Sequence, residues 1–190
     1  IIFRIASATL FFAGACALAQ TYPEKPIRLI SPYAAGGGSD TLARILGQKL
    51  FEAWGQPVVV DNRPGSGGII GAETTARATP DGYTFLVTPS AVLTINPHLY
   101  SKLRYDTFKD FAPVTMATNS PYFLVVHPKI PATSVRELIA YAKANPSKLN
   151  FSSSGSGSST HLAGVMFNHL AGVDIVHIPY KGAAPAIVDL

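Results

Sequence analysis

With 190 residues, 47% of them hydrophobic and 14% charged, the chain has globular composition and enough length for one large or two small apolar cores, which excludes disordered and fibrous classes. Its formal charge of +4 comes from basic residues scattered singly rather than gathered into a stripe, so a nucleic-acid partner is not expected.

Residues 1–20, IIFRIASATLFFAGACALAQ, carry one charge at Arg4, then an apolar run, then Ala17-Leu18-Ala19 just before Gln20. The pattern reads as a secretory signal peptide over residues 1–19, cleaved after Ala19. The run is too short and too alanine-rich at its end for a membrane span. Cys16, the only cysteine, lies inside it. A lipid anchor at Cys16 is the alternative, but Ala13 stands where such signals usually carry a leucine, so simple cleavage is preferred. On that reading the secreted chain has no thiol for a disulfide or a metal.

From Pro26 onward strands and helices alternate. The apolar strand Ile27–Ile30 runs into AAGGGSD and then a helix predicted over Thr41–Trp54, where Leu42, Ile45, Leu46, Leu50 and Trp54 recur at helical spacing. Ser39 or Asp40 is the expected cap, and Gly55 with Pro57 the stop. A second strand over Val58–Val60 leads into RPGSGG and a helix over Ile69–Ala78; TPDG at Thr79–Gly82 turns into a third strand, Tyr83–Val87. Short continuous apolar strands joined by helices imply an α/β fold with a parallel sheet covered on both faces.

Residues 89–110 are less regular. Pro113–Ala117 and Tyr122–Val126 read as extended segments, here taken as the crossing between two lobes. Ser134 with Glu137 forms a capping box for the helix VRELIAYAKA, which Asn145-Pro146 closes. A strand over Leu149–Ser152 enters SSGSGSS, a helix follows over Thr160–Leu170 to Gly172, and a strand over Asp174–Ile178 leads to PYKG and a final helix that has only begun.

Two loops therefore share one arrangement of strand, glycine-rich turn and helix N-terminus. In open parallel sheets ligands bind at that edge, and the first-turn amides attract an anion without any charged side chain. Gly36, Gly37 and Gly38 would let a ligand approach the backbone, and Ser156, Ser158, Ser159 and Thr160 would add hydroxyls. Each loop alone is equally readable as a tight connection; their joint occurrence favours binding. If the loops face each other, a dicarboxylate could bridge them. Lys181 is the cation beside a strand end, and Tyr33 and Tyr180 could cover a pocket.

Other chemistries fit less well. No serine has glycine two places before and after it, RPGSGGIIGAE lacks the third dinucleotide glycine, and no glycine loop is followed by a Walker lysine. The five histidines, His98, His127, His161, His169 and His177, never fall at a metal-ligand spacing. His161, beside the serine loop, is expected to support that loop or pack the helix rather than act as a base. The rival reading is a secreted serine hydrolase using Ser158 or Ser159 with His161, although no orienting acid is evident.

Taken in order, YPEKPIRLISPYAAGGGSDTLAR, VVVDNRPGSGGIIGAE, ATPDGYTFLV, FAPVTMAT, VRELIAYAKANPSKLNFSSSGSGSSTHLAG and VHIPYKGAAPAIVDL resemble the Bug family of periplasmic solute-binding proteins that serve tripartite tricarboxylate transporters. The resemblance covers nearly everything after Thr21. It implies a two-lobed type II periplasmic-binding-protein fold, with residues 20–118 in the first lobe and 119–190 in an incomplete second lobe. It further implies a small carboxylate ligand, delivery to membrane permease subunits, a monomer at full length, and neither catalysis nor a cofactor. Carried over, the ligand loops are Tyr33, Ala34, Ala35, Gly36 and Gly37 in the first lobe and Ser156, Gly157, Ser158, Ser159 and Thr160 in the second, with Ser90, Tyr180 and Lys181 lining the cleft. Chains of the family continue past the position of Leu190, which leaves the identity of the carboxylate open. A ligand-presenting role toward a sensor protein fits the same residues.

Overall fold

The computed structural model describes residues 22–190; the expected signal peptide, its cleavage point and Cys16 lie outside the described residues. Strand β1 (Ile27–Ser31) is the centre of a three-stranded sheet, flanked on opposite sides by β2 (Val58–Asn62) and β3 (Thr84–Leu86), both parallel to it. Leu29 stands in register with Val60 on one side and Phe85 on the other. Ile27 and Ile30 are completely buried. Apart from Arg28 every residue of the strand is buried, because both of its faces are covered. Helix α1 (Gly38–Trp54) closes one face, where Ala43 and Leu46 pack with Ile27 and Leu29. On the other face Tyr33, Val92 and Tyr105 gather with Ile69 and Ala72 of helix α2 (Ile69–Ala76).

Helix α1 departs from expectation at its start. It begins at Gly38 with Gly37 as its cap, and neither Ser39 nor Asp40 caps it. Asp40 instead sits inside the first turn, where the helix dipole favours an acid. Ile45, assigned to the core by its spacing, is 56% exposed. The buried stripe is centred on Ala43 and Gly47, and a Cβ on Gly47 would already lie 3.3 Å from Val58. Small residues bring the helix close to the sheet and leave Ile45 on the shoulder of the stripe. The stop is as expected: Gly55 has φ 70° and its N–H donates to the Phe51 carbonyl.

The stretch read as irregular contains two short helices, α3 (Ala91–Thr94) and α4 (Asn96–Leu99). The segments 113–117 and 122–126 join no ladder among the described residues, and Val114, Met116 and Phe123 are strongly exposed. Extended backbone becomes a strand only where another edge takes its hydrogen bonds. Helix α5 (Val135–Ala144) has the expected cap, the Glu137 N–H donating to Ser134 Oγ at 3.2 Å. The Glu137 carboxylate reaches back one residue further, accepting the Thr133 amide at 2.7 Å.

A second sheet pairs β4 (Asn150–Ser153) with β5 (Val176–Pro179), again parallel, with Phe151 opposite His177. Helix α6 (Ser159–Ala171) connects the two strands, and helix α7 (Ala183–Val188) follows β5. Gly164 lies where α6 meets Phe151, and a Cβ there would fall 2.2 Å from the ring. Gly164→Ala weighs two effects: better helix propensity of about 1 kcal/mol and overpacking of about 1–3 kcal/mol. The ring is stacked on His177 at 4.9 Å between centroids and has little room to yield. Overpacking should therefore win, giving a lower urea midpoint with an unchanged slope in equilibrium denaturation.

Candidate functional site

Because β1, β2, β4 and β5 are parallel within their sheets, each hands its chain to a loop at its carboxyl end. Those four loops meet. The loop after β1 touches the turn after β5: the Ala34 N–H donates to the Lys181 carbonyl at 2.9 Å, and a Cβ on Gly182 would lie 3.1 Å from Ala34 N. The loop after β2 touches the loop after β4 more closely still, since a Cβ on Gly67 would lie 2.1 Å from the Ser156 carbonyl oxygen. Asn62 Nδ2 donates to the Tyr33 carbonyl at 3.1 Å, and the Tyr180 amide donates to the Ser153 carbonyl at 3.0 Å. The ring of contacts closes.

The first loop owes its shape to Gly36, whose φ of +82° favours glycine. Gly37 has an ordinary φ of −84°, and a Cβ on it would meet the Ala34 carbonyl at a comfortable 3.5 Å. Gly38 has open space beside it. Asp40 is buried and ties the loop to the helix, its Oδ2 accepting the Gly36 amide at 2.9 Å and Arg44 Nε at 3.0 Å. The Arg44 bond, helped by the Gly36 amide, holds its carboxyl below the usual carboxylate range. Ala35 and Gly36 are exposed, whereas Tyr33 turns into the core, with burial pushing its hydroxyl up to about 12.

In the loop after β4, Ser158 is completely buried and caps α6, its Oγ accepting the His161 amide at 3.2 Å. Thr160 Oγ1 accepts the Ser154 amide at 3.0 Å and lies 3.0 Å from Ser158 Oγ. These two hydroxyls build the loop. Ser156 is exposed, and its carbonyl accepts the Tyr100 hydroxyl at 3.0 Å. Among the described residues the amides of Gly37, Gly38 and Ser39 at the start of α1, and of Ser159 and Thr160 at the start of α6, have no acceptor. Their helices are long enough to add a favourable dipole for an anion.

Ser90 lies exposed beyond β3 and makes no bond to the other loops. Lys181 is exposed and has no acidic partner among the described residues, and the Tyr180 hydroxyl is engaged by Asp189. No hydrogen bond joins Ser158 or Ser159 to the His161 ring, whose Nδ1 accepts the Gly157 amide at 3.2 Å. His161 thus has the supporting position expected of it.

Three contributors were missed in the sequence: Gly67, Asn96 and Tyr100. Asn96 is completely buried, donates from Nδ2 to the Gly67 carbonyl at 3.3 Å, and leaves Oδ1 without a partner. A Cβ on Gly157 would fall 2.9 Å from that oxygen and 3.0 Å from the Tyr100 hydroxyl. RPGSGG reads in sequence as a strand-to-helix glycine loop without dinucleotide spacing; its glycines after a strand are the available signal of a close backbone approach.

Two parallel sheets with glycine-rich loops meeting at their carboxyl edges are the arrangement of the two-lobed type II periplasmic-binding-protein fold. Residues 42–190 match the tripartite tricarboxylate transporter family receptor, TctC, and the chain belongs to that family. It is 43% identical over 173 residues to Protein BugT of Bordetella pertussis, covering 90% of this chain and 53% of that protein. The structure of R. palustris Rpa4515 with adipate superposes with a TM-score of 0.86 at 38% identity, covering 89% of this chain and 56% of the other. MatC (Rpa3494) from Rhodopseudomonas palustris, solved with bound malate, gives 0.83 at 31% identity over 89% and 57% of the two chains. The chain thus spans about half the length of these proteins.

Gly67→Ala, with a φ of +61° and the Ser156 carbonyl in the way, should lower stability by about 1–3 kcal/mol and raise hydrogen exchange at Gly155 and Gly157. Asp40 binds its proton less readily folded than unfolded, so its stabilisation is present above about pH 4 and lost as pH falls below it. The denaturation midpoints of wild type and Asp40→Asn should differ at pH 7 and draw together as pH falls below about 4.

Proposed function

We propose that the chain is the ligand-capturing part of an extracytoplasmic receptor without catalytic activity, which takes a small dicarboxylate between two lobes and delivers it to membrane permease subunits. One carboxylate is held by the α1 N-terminus and the Tyr33–Gly37 loop, the other by the α6 N-terminus and the Ser156–Thr160 loop. Ser90, Tyr180 and Lys181 line the edges. The first lobe comprises residues 20–118 and the second 119–190; the chain is secreted through a signal peptide cleaved after Ala19, and the full-length protein is a monomer.

The observation that carries this reading is the pair of unpartnered helix N-termini at the edge where the four loops meet. Adipate and malate, the molecules seen with Rpa4515 and MatC, are both dicarboxylates and support the ligand class. Magnitudes favour amides over the lysine. Charge-assisted hydrogen bonds contribute about 1.5–3 kcal/mol each, whereas an exposed cation contributes about 0–1 kcal/mol. The loop hydroxyls of Ser158 and Thr160 act by shaping the loop, and Ser159 and the exposed Ser156 remain to meet the ligand.

Isothermal titration with adipate and malate tests the reading. Gly37→Val should abolish binding by crowding the amides at the start of α1; its dihedrals suit any residue, but the position is buried, so a denaturation curve accompanies the titration to separate loss of binding from loss of fold. Lys181→Ala should weaken binding by no more than about fivefold. Normal binding by Gly37→Val would reduce the first loop to a turn, and sustained ester or amide hydrolysis lost in Ser159→Ala would overturn the non-catalytic assignment.

A further inference from the structure

Three rings are stacked beneath the loop that follows β4. His177 on β5 lies 4.0 Å from His161 on α6 and 4.9 Å from Phe151 on β4, centroid to centroid. Each histidine is bonded to the loop. His161 Nδ1 accepts the Gly157 amide at 3.2 Å. His177 Nε2 lies 2.6 Å from Ser153 Oγ, which itself accepts the Gly155 amide at 3.1 Å. Two successive glycine amides of the loop, both at residues with positive φ, are thereby anchored directly or through one hydroxyl to an imidazole.

We infer that His161 and His177 are positioning residues that hold the Ser154–Thr160 loop in shape only while both rings are neutral, making the loop sensitive to pH. Nδ1 of His161 can accept a hydrogen bond only when it carries no proton. Protonation there turns an acceptor into a donor facing the Gly157 N–H, and the amide must leave. In the tautomer whose Nε2 is bare, His177 accepts from the Ser153 hydroxyl, and protonation then forces that group to turn and disturbs its bond to Gly155.

The surroundings offer the charged form little support. Helix α6 carries no Asp, Glu, Lys or Arg; its ionisable residues are His161 and His169. Strand β4 presents Phe151 and Ser153, β5 presents no other ionisable group, and from the far side Tyr100 reaches Ser156 with its hydroxyl. Burial first, and the neighbouring His161 second, push His177 below its ordinary value. The folded ring thus binds its proton less readily than the unfolded one, and the fold loses stability as pH falls below about 6.5.

The consequence for binding rests on the proposed role of this loop in ligand capture; the positioning itself does not. The test follows the Gly155 and Gly157 amides of the ligand-free protein by 15N–1H NMR between pH 7.5 and 5.5. Both should titrate in wild type. In His161→Asn, whose amide oxygen can replace Nδ1 without titrating, Gly157 should stay fixed, and in His177→Gln Gly155 should do the same. Adipate and malate affinity in wild type should fall over this range by no more than about tenfold per pH unit, the linkage limit for one proton, and the fall should be smaller in His161→Asn. Glycine amides that do not move in wild type, or that move equally in both variants, would overturn the inference. Titrating amides in a protein that binds neither dicarboxylate at any pH would support the positioning role and overturn the proposed ligand class alone.

Discussion

Parallel pairing is the constraint on which the rest of this structure depends. A parallel strand must be reached by a crossover, and the crossover here is a helix each time β1 passes to β2, β2 to β3, and β4 to β5. Every strand-to-helix connection consequently leaves at the carboxyl edge of its sheet. Helix N-termini, with their free amides and positive dipole ends, accumulate at the same edge as the glycine-rich loops. A site for an anion can then be built from backbone, with Arg44 already committed to Asp40 and Arg63 to Asp61.

The second requirement is absence of side chains at a few points. Gly67 meets the Ser156 carbonyl, Gly182 meets Ala34, and Gly157 meets Asn96 and Tyr100, each at a distance where a Cβ would be within about contact of backbone or ring. These glycines belong to loops far apart in sequence, and their function is contact between segments. Gly37 is different, because a Cβ there would meet the Ala34 carbonyl at an ordinary 3.5 Å. Beneath the second loop the packing is equally close, with Gly164 pressing α6 onto Phe151 and Phe151 onto the two histidines. Loop shape, ring stack and helix contact are one mechanical unit.

Much of this was legible in the chain itself, for local reasons. Continuous apolar strands, glycine stops at Gly55 and Gly172, and the Ser134–Glu137 cap each act within a few residues, so their signals survive in sequence. The expected roles of side chains fared less evenly. The residue types of Ser158 and Thr160 suggest ligand hydroxyls, and the structure shows both bonded to the loop that contains them. Tyr33 was read as a cleft cover and lies in the core. In both cases residue type announced polar or aromatic capacity, while direction was decided by neighbours distant in sequence.

The sequence by itself determined the α/β alternation, the parallel sheets, the two strand–glycine–helix loops and the family to which the chain belongs, because all of these rest on local periodicity, turn chemistry and ordered motifs. Only the tertiary structure decided that RPGSGG is part of the meeting point, that Asn96 and Tyr100 reach across to Gly67 and Ser156, and that His161 and His177 stack within 4.0 Å. Those contacts join residues 16 to 56 positions apart. Their physical basis is close packing between loops, and no pattern within one stretch of chain encodes which distant backbone a glycine has been left bare to receive.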